Sequence, residues 1–177
     1  MLRTPAPLNG TLGDMDTPTK RRRAERIRKA VTSILSAHHF ARGKSTFWSR
    51  PGQDVVEFLH LHVFTFAPSF RIHCGLRVLN DDFPALALNG PNSDAYRDAY
   101  MLDFTDEVAS ESQCAAEIGR FCVEVAEPWF EQLRELQTLL GPDSPLSQSA
   151  RSGLEHALDG MASPEAIRNS KALLGVA

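Results

Sequence analysis

The spacing of the apolar residues changes from a period of 3.6 to a period of 2 near residue 43 of this 177-residue chain. A helix and a strand have these two periods, so the change divides the chain into elements of different type. Short turn signals, Pro51-Gly52 and 67–69, then separate the alternating segments. The pattern predicts an N-terminal helix followed by an antiparallel meander.

Predicted strands cover residues 45–50, 54–66 and 70–79, and segments 85–88 and 99–104 are candidates for two more. Helical spacing returns over 110–140 and, more weakly, beyond residue 143. We therefore predict an α+β fold with an N-terminal helix, an antiparallel sheet of three to five strands and C-terminal helices packed on one face. The predicted organisation is a disordered arm (1–15), a single α+β domain (16–142) and a helical C-terminal extension (143–177).

Composition excludes several classes of protein. The formal net charge is −3, which is unlike the basic excess of a general nucleic-acid binder. The three cysteines form no CxxC pair, and no stretch approaches the roughly 20 apolar residues of a membrane span. No nucleotide-binding, hydrolase or metalloprotease motif occurs, so no cofactor is expected. These features predict a cytoplasmic protein with reduced thiols and no membrane association.

The two longest predicted strands each have an aliphatic side and a side rich in rings and cations. We expect the aliphatic side to pack against the helices, since burying imidazoles and guanidinium groups without partners costs several kcal/mol. Its members are Leu59, Leu61, Val63, Ile72, Cys74, Leu76 and Val78. The opposite side carries Phe58, His60, His62, Phe64, Phe66, Arg71, His73 and Arg77.

This second side supports two hypotheses of function. Aromatic residues and arginine are enriched at protein interfaces, so Phe58, Phe64, Phe66, Arg71 and Arg77 suggest a non-enzymatic domain that binds a protein partner or forms a homodimer. Alternatively, three histidines resemble the ligands of a catalytic zinc, and the arginines resemble an anion site. A metal-dependent or anion-binding enzyme would use His60, His62 and His73 beside Arg71 and Arg77. A register shifted by one residue would instead bring Cys74 to that side.

The first predicted helix has a basic face within the segment KRRRAERIRK, which includes Arg22, Arg23 and Arg26. One interpretation is contact with a nucleic acid. The other is a solvated helix face on which Glu25 pairs with neighbouring basic residues. The negative net charge of the chain favours the second interpretation, so nucleic-acid binding is not expected.

The order of several short motifs is similar to that of a known bacterial family. The first helix runs into His39-Phe40, where the family usually has glycine and phenylalanine, and the basic loop 41–44 follows. A strand of the type Thr-Phe-x-Arg comes next at 46–50, and Pro128-Trp129-Phe130 forms a later helical junction. Residues 18–140 thereby resemble the uncharacterised family known as domain of unknown function 4304. The resemblance implies the α+β fold and implies no activity or catalytic residue.

Overall fold

The computed structural model describes residues 15–105 and 107–177. Most of the predicted N-terminal arm, residues 1–14, lies outside these described residues. Met15, the last residue of that predicted arm, packs against the hydrophobic core. None of the helices in the described part of the chain is both long enough and apolar enough to cross a bilayer.

The first helix, α1, spans Thr17–Ser36. It begins at this point because the Asp16 carboxylate accepts a hydrogen bond from the Thr19 backbone N–H at 2.6 Å, which caps the first turn. The later helices are α2 (Val108–Phe121), α3 (Glu127–Gln132), α4 (Leu136–Leu140), α5 (Gln148–Leu158) and α6 (Pro164–Leu174). A π-helical turn, Cys122–Ala126, joins α2 to α3, and a short 3₁₀ helix covers Ser93–Tyr96.

Four antiparallel strands form one sheet in the order β1-β2-β3-β4. They are β1 (Ala41–Lys44), β2 (Phe47–Pro51), β3 (Val55–Val63) and β4 (Phe70–Val78). The α+β prediction is therefore confirmed. The prediction of a basic loop at 41–44 is wrong, because this segment pairs with β2 as a strand.

Segments 85–88 and 99–104 were candidates for strands. The first is irregular, and the second contributes only an isolated antiparallel bridge between Asp103 and Ser69. The chain between residues 89 and 93 lies along the free edge of β4. There the Cys74 N–H donates to the Pro91 carbonyl at 2.9 Å, and the Gly90 N–H donates to the Cys74 carbonyl at 3.1 Å. These contacts satisfy edge groups that would otherwise invite pairing with another chain.

The inner face of the sheet, defined by Leu59, Leu61, Ile72 and Cys74, packs against α1 and α2. These four side chains are fully buried together with Trp48. The prediction that the aliphatic side meets the helices is thus confirmed. All three cysteines are buried free thiols, and burial raises the pKa of Cys114 to about 12.

The last two helices lie on different sides of the edge of β4. Ala150 and Leu154 of α5 belong to the core on the inner side, whereas α6 lies on the outer face, which is the opposite side of the sheet. The side-chain amide of Asn80 contacts both helices. It donates to the Gly153 carbonyl of α5 at 2.9 Å and accepts from the N–H of Ser163, the residue before α6, at 2.7 Å. Leu174 of α6 then packs with Val56 and Phe58 in a second buried cluster. Helix α6 therefore covers part of the outer face.

Candidate binding surface on the outer sheet face

The register of the sheet brings the three strand histidines to the same side. His60 of β3 lies directly between Phe47 of β2 and His73 of β4, and His62 is paired with Arg71. Residues paired across a sheet point to the same face, so all five side chains lie on the outer face. The alternative register is excluded, because Cys74 pairs with Leu59 on the inner face.

The rings on this face form a continuous series of contacts. Phe47 stacks on His60 with ring centroids 4.3 Å apart, and His60 stacks on His73 at 6.1 Å. His62 contacts the edge of Phe64 at 6.0 Å, and the Arg71 guanidinium lies 4.7 Å from the centroid of the Phe64 ring. We call this surface the open patch: Phe47, His60, His62, Phe64, Arg71 and His73.

Helix α6 determines where the open patch ends. Phe58, which was expected on the contact surface, is fully buried beneath this helix, whereas His62 is exposed. Phe66 is completely exposed but lies in the turn after β3. The open patch therefore occupies only the half of the outer face that α6 leaves uncovered.

Arg77 does not belong to an open ligand face, and the expectation that it does is wrong. Its side chain is 3% exposed, and its five N–H donors all have acceptors in the chain. They bind the Ser170 hydroxyl, the Asp81 carboxylate and the backbone carbonyls of Asp81, Phe83 and Ala85. The guanidinium thus holds the segment after β4 to α6, and it has no donor left for a ligand.

The imidazoles of His60 and His73 are neutral at pH 7. Burial lowers the pKa of His60 to about 4, and the neighbouring His73 and His62 add to this effect. Burial, followed by the positive charge of Arg71, also lowers the pKa of His73. The Nδ1 atom of His60 is buried without a hydrogen-bond partner among the described residues. These two rings therefore act as aromatic surfaces and carry little charge.

The histidines do not have the geometry of a metal site. Within residues 15–105 and 107–177, no group of three His, Cys, Asp or Glu side chains is placed to hold one metal ion. The physical reason is visible for His60 and His73, whose ring planes differ by only 20°. The lone pairs of imidazole lie in the ring plane, so stacked rings do not direct them to a common point.

Arg71 is held in a fixed orientation beside the rings. Its guanidinium makes an ion pair with the Asp94 carboxylate at 2.5 Å, and 30% of its side chain is exposed. Asp94 belongs to the 3₁₀ helix, whose preceding residue Asn92 forms a bridge with His73. The loop before this helix therefore positions the one arginine of the open patch.

Two arginines of the basic face of α1 pair with α2. Glu111 of α2 accepts hydrogen bonds from Arg23 at 2.7 Å and from Arg26 at 2.7 and 2.8 Å. Arg22 donates to the Thr19 hydroxyl at 3.2 Å. Hydrogen bonds from Arg26, together with the charges of both arginines, lower the pKa of Glu111. Two of the three candidate arginines thus stabilise the contact between two helices.

Pairing at long range also replaces the local pairing expected for Glu25. Its carboxylate binds Arg42 of β1 in a bidentate pair at 2.8 and 3.0 Å, while Arg28 is 3.7 Å away. The sequence offered no signal for this partner, because Arg42 lies 17 positions away on a segment interpreted as a loop. The same is true of Phe47, whose membership of the open patch depends on the β2–β3 register.

Comparison with protein-family models, with curated proteins and with solved structures finds no match to this chain. The resemblance to domain of unknown function 4304 therefore stays a prediction.

Proposed function

We propose that this chain is a non-enzymatic binding domain of the cytoplasm that contacts a partner protein through the open patch. The observation that carries the proposal is the series of stacked rings beside Arg71, on the part of the outer face that α6 does not cover. Rigid aromatic side chains and arginine supply much of the binding energy at protein interfaces. Packing within the fold orients these side chains in advance, which lowers the entropy cost of binding.

The charges favour an acidic partner segment, and the stacked rings favour aromatic side chains on it. Lys44 pairs with Phe47 on the outer face and is exposed, and no carboxylate among the described residues forms an ion pair with it. Arg71 is already paired with Asp94. The surface around the open patch consequently has an excess of positive charge. A second copy of the chain would bring this same charge against itself, which disfavours a symmetric dimer.

The other two hypotheses have weaker support. For a metal-dependent enzyme, the described residues contain no set of ligands that converges on one point. For anion binding, the remaining candidate is Arg71, whose charge Asp94 neutralises. For nucleic-acid binding, Glu111 pairs with Arg23 and Arg26, so two of the three candidate arginines already have a partner within the chain, and the formal net charge is −3.

The test is an NMR titration with a ten-residue peptide of alternating Glu and Phe, followed through the ring protons of His62 and His73. We expect saturable shifts, and we expect Lys44→Glu and His62→Ala each to weaken the affinity about fivefold or more. Arg168→Glu and His156→Ala are the matched controls for these two variants. They lie at exposed positions of α6 and α5 and should leave the affinity for the peptide unchanged.

The proposal fails if these rings do not respond, or if a peptide of alternating Lys and Phe binds equally well. Sedimentation velocity of the wild type at rising concentration tests whether a second copy of the chain binds to the open patch. A dimer that Lys44→Glu strengthens or leaves unchanged would contradict an acidic partner.

A further inference from the structure

A groove lined by leucine lies between the β2–β3 turn and helices α4 and α5, and it shares no residue with the open patch. Its volume is about 420 Å³. Small-molecule sites generally have volumes of about 300–1,000 Å³ and mainly apolar walls. Six leucines contribute to this lining: Leu76, Leu133, Leu136, Leu139, Leu154 and Leu158.

The floor and the walls of the groove differ in exposure. Leu139 and Leu154 at the floor are 6% and 2% exposed and belong to the main core. Leu136 and Leu158 at the walls are 43% and 46% exposed. An aliphatic chain placed between these walls would remove their apolar surface from water, which is favourable in proportion to the area covered.

The charges at the mouth of the groove indicate the head group of such a ligand. The Arg50 guanidinium donates to the carboxylates of Glu57 and Glu127. Arg134 has a carboxylate of Glu131 at 3.7 Å. Asp54 also lines the groove, and no cation or hydrogen-bond donor of the described residues contacts its carboxylate. The lining thus contains two arginines, both paired with carboxylates, and two carboxylates, of which Asp54 lacks a partner within the described part of the chain.

We propose that this groove binds a small aliphatic ligand with a cationic amine head. The chain of the ligand lies between Leu136 and Leu158, and its ammonium group donates hydrogen bonds to Asp54. An ammonium group has three donors and a positive charge, which suit an unpaired carboxylate. A carboxylate head would find both arginines of the lining already paired with carboxylates and would lie close to the negative charge of Asp54.

The experiment is a titration of the full chain with decylamine, 1-decanol and decanoate below their micelle concentrations, followed by the methyl NMR signals of leucine. We expect saturable shifts at Leu136 and Leu158, with decylamine bound about tenfold more tightly than decanoate. Asp54→Asn should weaken decylamine binding about fivefold and leave 1-decanol binding unchanged. Asp143→Asn, at an exposed position outside the groove, is the control for the change in charge.

A second pair of variants tests the apolar part of the site. Leu158→Lys should weaken the binding of all three ligands, while Leu88→Lys should not, although both leucines are 46% exposed. Both positions are half-exposed, so neither change removes a core side chain. The absence of saturable shifts with all three compounds would overturn the proposal. Equal affinity for decylamine and decanoate, or an Asp54→Asn variant that binds decylamine normally, would overturn it as well.

Discussion

Gly75 of β4 is paired with Phe58 of β3, and the Phe58 ring occupies the space that a Cβ atom on residue 75 would need. Three ring atoms would overlap with that Cβ, and Phe58 is fully buried under α6, so the ring has no free space into which it can move. The fit of these two residues lets α6 lie close to the sheet, and it thereby sets the edge of the open patch.

Gly75→Ala should lower the free energy of unfolding by about 1–3 kcal/mol through overpacking. Phe58→Leu in the same chain should recover part of that loss, because the smaller side chain makes room for the added methyl group. Urea unfolding of the two single variants and the double variant measures the coupling between the residues. Additive effects would contradict the steric explanation.

Arg77 and Arg71 share the outer face but should differ greatly in their contribution to stability. Arg77→Met leaves the buried Asp81 carboxylate without its cation and its Oδ2 atom without a donor, which should cost about 3–5 kcal/mol. Arg71→Met breaks a partly exposed ion pair with Asp94 and should cost about 1 kcal/mol or less. Thermal and urea unfolding of both variants measure these losses of stability. Equal losses in the two variants would contradict the prediction.

Leu61 and His62 are neighbours in β3 whose side chains point to opposite faces. Leu61 is fully buried, so Leu61→Ala should cost about 2–5 kcal/mol. His62 is exposed, so His62→Ala should stay within about 0.5 kcal/mol of the wild type. Urea unfolding checks both values, and a His62→Ala variant as unstable as Leu61→Ala would mean that the open patch is covered.

The low pKa of His60 makes the free energy of unfolding depend on pH in one direction. Above pH 6.5 the ring is neutral in both states, whereas between pH 6.5 and about 4 the unfolded chain binds a proton that the folded chain does not. Acidification from pH 7 to 5 should therefore lower the free energy of unfolding. Because solvent screens the charge of this partly exposed ring, we expect the free energy of unfolding to fall by about 1 kcal/mol between pH 7 and pH 5.

His60→Phe keeps the stack on Phe47 and removes the titrating group. Its urea-unfolding profile should consequently be flatter than that of the wild type between pH 7 and 5. Parallel profiles would show that His60 does not cause the dependence on pH.

His39 adopts a left-handed backbone conformation with φ of 64°, in the turn that follows α1. This conformation is unfavourable for residues that have a Cβ atom and is favourable for glycine. We expect His39→Gly to raise the free energy of unfolding by about 0.5–1 kcal/mol. The control is Ala37→Gly, where φ is −64° and the change should instead lower stability by a similar amount. A loss of stability in both variants would contradict the strain at His39.

The sequence by itself determined the class of fold and the side of the sheet that is buried. The change of period near residue 43 separates α1 from the strands, and the alternation of Leu59 and Leu61 with His60 and His62 identifies the inner face. These are local patterns, since they follow from the geometry of a single helix or strand and from the cost of burying polar groups.

Only the tertiary structure decided which outer-face residues remain available. Arg71 and Arg77 are indistinguishable in the alternation of β4, yet α6 buries Arg77 through contacts with residues up to 93 positions away. Glu111 likewise selects Arg23 and Arg26 across 88 and 85 positions. Such partners depend on how elements distant in sequence pack together, and a periodicity confined to one element contains no information about that packing.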